Sequence, residues 1–596
     1  MWLTVYNSSL YLRVAEDLRL NRGQWDAYES QGNCVVLAGP GSGKTKTLTL
    51  KLARMLMENV QAPRGLACIT YNNECARELE ERLGALGVEP GGRVFIGTVH
   101  SFSLTQIILP YAKVAQMGLP DDFKVASRSE QRAALERAFF QVIGGPENPQ
   151  NWDLPMNRYR KAILDRTSRE WKERDPQLAK LVETFETELR TVGRIDFDDM
   201  PLLAMRSLQQ HHWLRNALYA KYPILVVDEY QDLGLALHQM VMELCFNTGM
   251  RLFAVGDVDQ SIYGFTGASP ELLQELAERD DVETIRLRLN YRCGSRIVTA
   301  STYALGEERD YEAARGTGQG TVYFHPQTEA YPTQATFLCS TLVPEIKARL
   351  PHLKLSDIAV LYPAAFIGDH VAEAAQTAGL SILRSDGNAL YPRGNRLMRW
   401  LEQCAEWCCG GWRSGSPRFG RITNEGQRLF AEALSTEDAR LVFQQRLIDV
   451  LWSERNESEP LARWLQNLHG ALISDLAKVC RAMEDDVETL NTFIGRCLNG
   501  DCQAMTISQF AGQGTGLDSL NLSTLHSSKG REFSVVIMFG IDAGRLPRRN
   551  STRRELVEAR RLFYVGLTRA KTEVHIMFSA SGPSQLVSEL QGRLAE

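Results

Sequence analysis

The chain has 596 residues, 44% of them hydrophobic and 23% charged, with a formal net charge of −5. A single hydrophobic core stops growing well below that length, so several domains are expected. The slightly acidic balance excludes a polycation that blankets duplex nucleic acid and leaves only a local groove for such a partner.

The N-terminal segment Met1-Trp2-Leu3-Thr4-Val5-Tyr6 lacks a basic stretch followed by a continuous apolar one. No apolar run reaches the roughly 18 residues that would signal a bilayer span. A cytoplasmic protein with no membrane partner is therefore expected. The twelve cysteines form no Cys-x-x-Cys pair, so neither a disulfide framework nor a zinc ribbon is indicated. Cys404, Cys408 and Cys409 cluster beside Trp400, Trp407 and Trp412, and that apolar company reads as core packing rather than a metal site.

In chain order, the first strong signal is the apolar run Cys34-Val35-Val36-Leu37, then Ala38-Gly39-Pro40-Gly41-Ser42-Gly43-Lys44-Thr45, then Leu48, Leu52, Met55 and Leu56 at helical spacing. A strand, a glycine-rich turn and an amphipathic helix in that order make a phosphate cradle. Gly39, Gly41, Ser42 and Gly43 let backbone N–H groups approach the phosphates, Lys44 reaches the terminal ones, and the Thr45 hydroxyl can ligate Mg²⁺. The strict pattern has glycine where this chain has Ala38. Residues 103–195 are helical in pattern and broken at Gly144-Gly145-Pro146 and Asp153-Leu154-Pro155.

Ile224-Leu225-Val226-Val227 is then a buried strand whose end delivers Asp228 to a metal and Glu229 to a water. Arg251 to Asp257 is a further strand ending in a carboxylate, and Ile358 to Tyr362 and Val535 to Phe539 belong to a second βα set. Another helical, polar stretch, 386–515, interrupts that second set. An α/β chain of two sheet domains, each interrupted once by a mainly helical insertion, is the expected fold.

In this order the segments resemble the UvrD/Rep/PcrA-like family of superfamily 1 DNA helicases. Leu20-Asn21 with Gln24 looks like the adenine-reading segment. Ala67 to Leu83 looks like the start of the single-strand path, with Tyr71 as its aromatic, and Gly97-Thr98-Val99-His100-Ser101-Phe102 resembles the next DNA-contacting motif. Asp196-Phe197-Asp198-Asp199 is a family-like run before the Asp-Glu strand.

Gly256 to Phe265 resembles the coupling motif, in which Gln260 matches the γ-phosphate sensor and Tyr263 and Phe265 the base-stacking aromatics. Leu289-Asn290-Tyr291-Arg292 resembles the motif whose Tyr stacks on adenine and whose Arg touches the γ-phosphate. Leu525 to Phe533 resembles a motif that puts Glu532 near the ribose and His526 at DNA. Glu558 to Ala570 resembles the motif that makes Arg569 the arginine finger.

The resemblance implies two RecA-like P-loop motor domains. The first comprises 1–102 and 196–280 with 103–195 inserted; the second comprises 281–385 and 516–596 with 386–515 inserted. It implies ATP with Mg²⁺, bound through Gln24, the 39–45 loop, Lys46, Tyr291 and Glu532, with Asp228 and Thr45 on the metal and Glu229, Gln260, Arg292 and Arg569 in catalysis. DNA would meet Tyr71, Thr98, His100, Tyr263, Phe265 and His526.

The implied activity is ATP-driven 3′→5′ translocation on single-stranded DNA, with unwinding at junctions of single and double strand. Phe265-Thr266 replaces the family's Trp-Arg, Lys46 replaces an Arg, and 386–515 is shorter than the usual regulatory subdomain. The insertion and the Phe265-Thr266 departure favour a second reading: a DNA-stimulated ATPase serving as sensor or assembly subunit beside a protein partner such as a nuclease, for example in anti-phage defence. The pathway, whether repair, replication, plasmid maintenance or defence, is not written in the sequence.

Overall fold

The computed structural model describes residues 10–88, 91–264, 267–392, 394–480, 483–500, 502–515 and 518–595. It divides into two compact units, Met1–Thr321 with Asn550–Thr572 and Glu589–Glu596, and Val322–Arg549 with Glu573–Ser588.

In the first unit, short apolar runs form parallel strands: Cys34–Ala38 (β1), Leu66–Thr70 (β2), Val94–Thr98 (β3), then, after the small ladder Lys124–Val125 (β4) with Arg194–Ile195 (β5), Ile224–Val227 (β6), Arg251–Gly256 (β7) and Glu283–Leu287 (β8). Their spatial order is β3-β2-β6-β7-β1-β8, with Val36 opposite both Val255 and Ile285 and Cys68 opposite Val226. Alternation along each strand explains why β1, β2, β6 and β7 are largely apolar, whereas in the edge strand β8 only Ile285 and Leu287 are buried. Val35, Ile69, Val227 and Ala254 face one core with Leu237 and Met240, whereas Val36, Cys68, Val226 and Val255 face another with Leu48 and Leu52. Covering both faces is what an all-parallel sheet requires.

Residues 128–191 carry helices around a core of their own, with Phe139, Met156, Trp171, Leu181 and Phe185. Local signals set their starts: Ser127 and Glu130 form a capping box, and Asp175 caps a helix that opens with Pro176. At the base of these helices lies a buried ion cluster, Arg160 to Asp196 at 2.7 Å and Arg190 to Asp199 at 2.8 Å, with Arg166 forked onto Glu186. All three carboxylates of the Asp196–Asp199 run are thus paired, Asp198 with Lys161 at 2.9 Å.

Leu289–Asn290 (β9) and Glu312–Ala313 (β10) pair in parallel beyond β8. The second sheet contains Thr321–Gln327 (β11), Ile358–Tyr362 (β12), Ile382–Arg384 (β13), Leu520–Thr524 (β14), Phe533–Met538 (β15) and Ala570–Ser579 (β16), in the order β11-β16-β15-β12-β14-β13. Helices between residues 396 and 515 enclose a separate core around Trp400, Phe443, Trp464, Phe493 and Phe510. Cys404 and Cys408 are buried in that core and Cys409 partly so. Among the described residues no cluster of His, Cys, Asp and Glu is arranged to hold a metal. Also among them, no helix is long and apolar enough to cross a membrane.

Candidate active site

A parallel sheet directs all its strand ends the same way, so the loops after β1, β6 and β7 converge. After β1 the chain turns through Gly41 and Gly43, whose φ angles of 67° and 80° favour glycine. A Cβ on Gly43 would stand 2.4 Å from Nε2 of Gln24, and one on Gly41 would stand 2.7 Å from Cβ of Arg292. Ser42 folds back to donate to the Gly39 carbonyl at 2.7 Å. The helix Lys44–Arg54 begins there, with Thr45 on its first turn.

The Lys44 ammonium is buried without a hydrogen-bond partner, 3.8 Å from Glu229 and 4.0 Å from Asp257. A buried cation with three unused donors beside a glycine cradle suits phosphate oxygens.

Asp228 comes directly after β6, and Glu229 follows in the left-handed region at φ 49°, a conformation uncommon outside glycine. Burial, with Glu229 next to it, pushes the Asp228 carboxyl up to about 7. A divalent cation held by Asp228 and the Thr45 hydroxyl would reverse that cost, so the donor set fits Mg²⁺.

From Glu229 a chain of hydrogen bonds runs inward. Gln231 Nε2 donates to Glu229, Asp257 N–H donates to Gln231 Oε1 at 2.8 Å, Gln260 Nε2 donates to Asp257, and Arg569 Nη2 donates to Gln260 Oε1 at 3.2 Å. Burial and the neighbouring Arg292 pull the Arg569 guanidinium down to about 10, which leaves it charged at neutral pH. The buried Arg569 with the half-buried Arg292 beside it creates a place for an anion. Arg292 is fixed by its own N–H on Asn290 Oδ1 at 2.8 Å and by a guanidinium bond to the Thr568 carbonyl at 3.3 Å.

The expected base-reading residues also meet. Asn21 caps the helix Arg22–Glu29 by accepting from Gln24 N–H, and its amide donates to the Tyr291 hydroxyl at 2.9 Å. Tyr291 N–H is bonded to the Gly41 carbonyl at 2.8 Å, and 46% of the residue stays exposed, open for stacking. The Gln24 amide is directed to the Ser42 carbonyl at 2.8 Å. Lys46 is directed elsewhere, to Asp17 at 3.3 Å on the surface.

At the ends of β2 and β3 stand the residues expected to meet DNA. Tyr71 stacks on Tyr263 at 5.1 Å between ring centroids, and His100 stacks on Phe197 at 3.8 Å. Burial pulls His100 down to about 4, so its ring is neutral at physiological pH and offers stacking rather than charge. Thr98 accepts from Ser101 N–H and caps the short helix that carries His100. Phe265 lies outside the described residues.

His526 and Glu532 belong to the second unit, in the turn between β14 and β15, half-buried and exposed respectively. Sequence reasoning missed Gln231 and gave Asp257 no role. Gln231 sits two positions after Glu229, yet only the fold reveals that it links Glu229 to the end of β7.

Comparison with known proteins bears on the family. Residues 20–280 match the model of the UvrD/REP helicase N-terminal domain, and residues 447–581 match that of the UvrD-like helicase C-terminal domain. The chain is 28% identical to the ATP-dependent DNA helicase Rep of Escherichia coli, covering 94% of this chain and 90% of the relative. It is 26% identical to the ATP-dependent DNA helicase PcrA of Leuconostoc citreum, covering 97% and 85%, and 23% identical to PcrA of Bacillus subtilis, covering 94% and 82%. Two family models in the expected order, with relatives aligned over most of their lengths, place the chain in the family of UvrD/Rep/PcrA-like helicases.

Proposed function

We propose that this chain, an ATP-dependent DNA helicase, hydrolyses ATP at the Lys44–Glu229–Arg569 site and uses the energy to move 3′→5′ along single-stranded DNA, separating strands at junctions. The observation that carries the reading is the unbroken relay from Glu229 through Gln231, Asp257 and Gln260 to Arg569 beside an unsatisfied Lys44.

Phosphoryl transfer needs positioning and charge stabilisation more than covalent help. Lys44 and the loop N–H groups hold the phosphates. Glu229, kept in place by Gln231, orients the attacking water and accepts its proton. Arg292 and Arg569 meet the charge that develops on the transferred group. Mg²⁺, when bound at Thr45 and Asp228, supplies further neutralisation. Gln260 shares one side chain between Arg569 and Asp257, so a change at the phosphate alters the segment that continues to Tyr263, which stacks on Tyr71. That continuity is the proposed link between hydrolysis and grip on DNA bases, whose faces stack without regard to sequence.

The test is ATP hydrolysis with and without single-stranded DNA, alongside displacement of a strand from duplexes carrying a 3′ or a 5′ tail. Stimulation by single strands and displacement from the 3′-tailed substrate are expected. Equal stimulation by blunt duplex, or preference for the 5′ tail, would overturn the polarity and single-strand reading.

A further inference from the structure

Between the nucleotide loop and the coupling segment stand two side chains to which none of the motifs gives a role. Tyr311 lies edge-on to the loop, close enough that a Cβ on Gly39 would stand 2.6 Å from its ring. Its hydroxyl donates to Asp259 Oδ2 at 3.2 Å. Arg309 forks onto the same carboxylate, Nε and Nη2 each at 2.8 Å. Asp259 is buried, and its backbone N–H donates to Asp257 Oδ1 at 3.0 Å, on the carboxylate that holds Gln260. The Arg309–Tyr311 segment is in turn anchored next to Arg292, because β10 continues from it and pairs with β9.

We infer that Arg309 and Tyr311 are positioning residues that tie the phosphate loop to the coupling segment through Asp259. The inference rests on the ATPase reading of the site. A fixed carboxylate at Asp259 holds Asp257 and Gln260 in register with Gly39, so movement of the loop on binding phosphates reaches Gln260 directly through the Tyr311 ring. A bidentate guanidinium defines the plane of that carboxylate in a way an ammonium does not.

The experiment compares steady-state hydrolysis and distance moved per ATP for wild type, Tyr311→Phe, Arg309→Lys and Gly39→Ala. Tyr311→Phe keeps the ring on Gly39 and loses only the hydroxyl. DNA-stimulated kcat should fall about tenfold, the scale of one hydrogen bond to a charged group, with the KM for ATP held within about twofold. Arg309→Lys should fail to restore coupling. Gly39→Ala should displace the ring, and adding Tyr311→Phe to it should cost little more, since both break one link. Wild-type kcat and stepping in Tyr311→Phe and Arg309→Lys would overturn the inference, as would KM and kcat changing in parallel, which marks mere support of the loop. Lys44→Ala separates the two levels: hydrolysis persisting there removes the ATPase reading, whereas normal coupling in Tyr311→Phe removes only this one.

Discussion

Arg569 donates to Gln260 Oε1 at 3.2 Å across 309 residues of sequence. The bond joins the arginine-bearing turn after the helix Arg553–Leu567 to the coupling segment after β7, both within the first compact unit. Arg569→Ala should retain single-strand binding and much of its ATP affinity while losing hydrolysis on the order of 10³-fold or more, because the charge it meets develops in the transition state. Arg569→Lys should rescue poorly. DNA-stimulated hydrolysis of the three proteins is the measurement; turnover within a few-fold of wild type in Arg569→Ala would remove the finger role.

Glu229 and Lys44 are 3.8 Å apart yet should fail differently. Glu229→Gln keeps the shape of the site and loses the proton acceptor, so nucleotide should still bind while turnover collapses. Lys44→Ala should weaken nucleotide binding itself. Titration with a nucleotide, paired with steady-state hydrolysis, distinguishes the two.

The stacked pair Tyr71 and Tyr263 gives a prediction about DNA. Either Ala variant should weaken single-strand binding by about 1–3 kcal/mol with little change in its salt dependence, since stacking releases no counterions. Because the rings touch, the double variant should cost less than the sum of the two. Additive losses, or a flatter salt slope, would mean that the two rings act elsewhere.

Lys51 gives a prediction about pH. Its ammonium is almost fully buried on the helix that follows the nucleotide loop and donates to the Tyr28 and Ser30 carbonyls at 2.8 and 2.6 Å. Burial, with Arg251 second, pulls it down to about 7. Between that value and the ordinary lysine range near 10.4 the unfolded chain holds more protons, so Lys51 makes stability rise with pH across this window and leaves its full penalty below it. Lys51→Met should lack that rise. It should also fold, because Arg54 and Arg251 still donate to the same two carbonyls. Thermal midpoints of both proteins at about pH 7 and pH 9.5 test it; a constant difference between them would refute the role.

What was legible in the sequence was local. The turn 39–45 and the Asp228-Glu229 strand end each carry their chemistry within a few residues, and the structure brings their side chains together. The relay was not legible: the resemblance gave Gln260 and Arg569 roles, but their link to Glu229 through Gln231 and Asp257 depends on the strand order β6-β7, which puts two loops side by side. Arg309 and Tyr311 carried no periodic or motif signal. Sequence order alone assigns residues 516–596 to one motor, whereas contacts group Asn550–Thr572 with the first unit and β16 with the second sheet. A pattern of apolar residues marks that a helix is buried without saying against which partner. The Phe265-Thr266 substitution, which favoured the sensor reading, lies outside the described residues.

The strand order carries one last consequence. Tyr71 and Thr98 sit at the ends of the two strands at one edge of the first sheet, and Lys44, Asp228 and Asp257 follow the next three. Besides the stack of Tyr71 on Tyr263, the two groups meet at the seam between β2 and β6, a single strand spacing of about 4.8 Å. There the Asp228 N–H donates to the Ile69 carbonyl at 2.8 Å, so a shift of β2 by one residue would move a proposed metal ligand and a proposed base-stacking ring together.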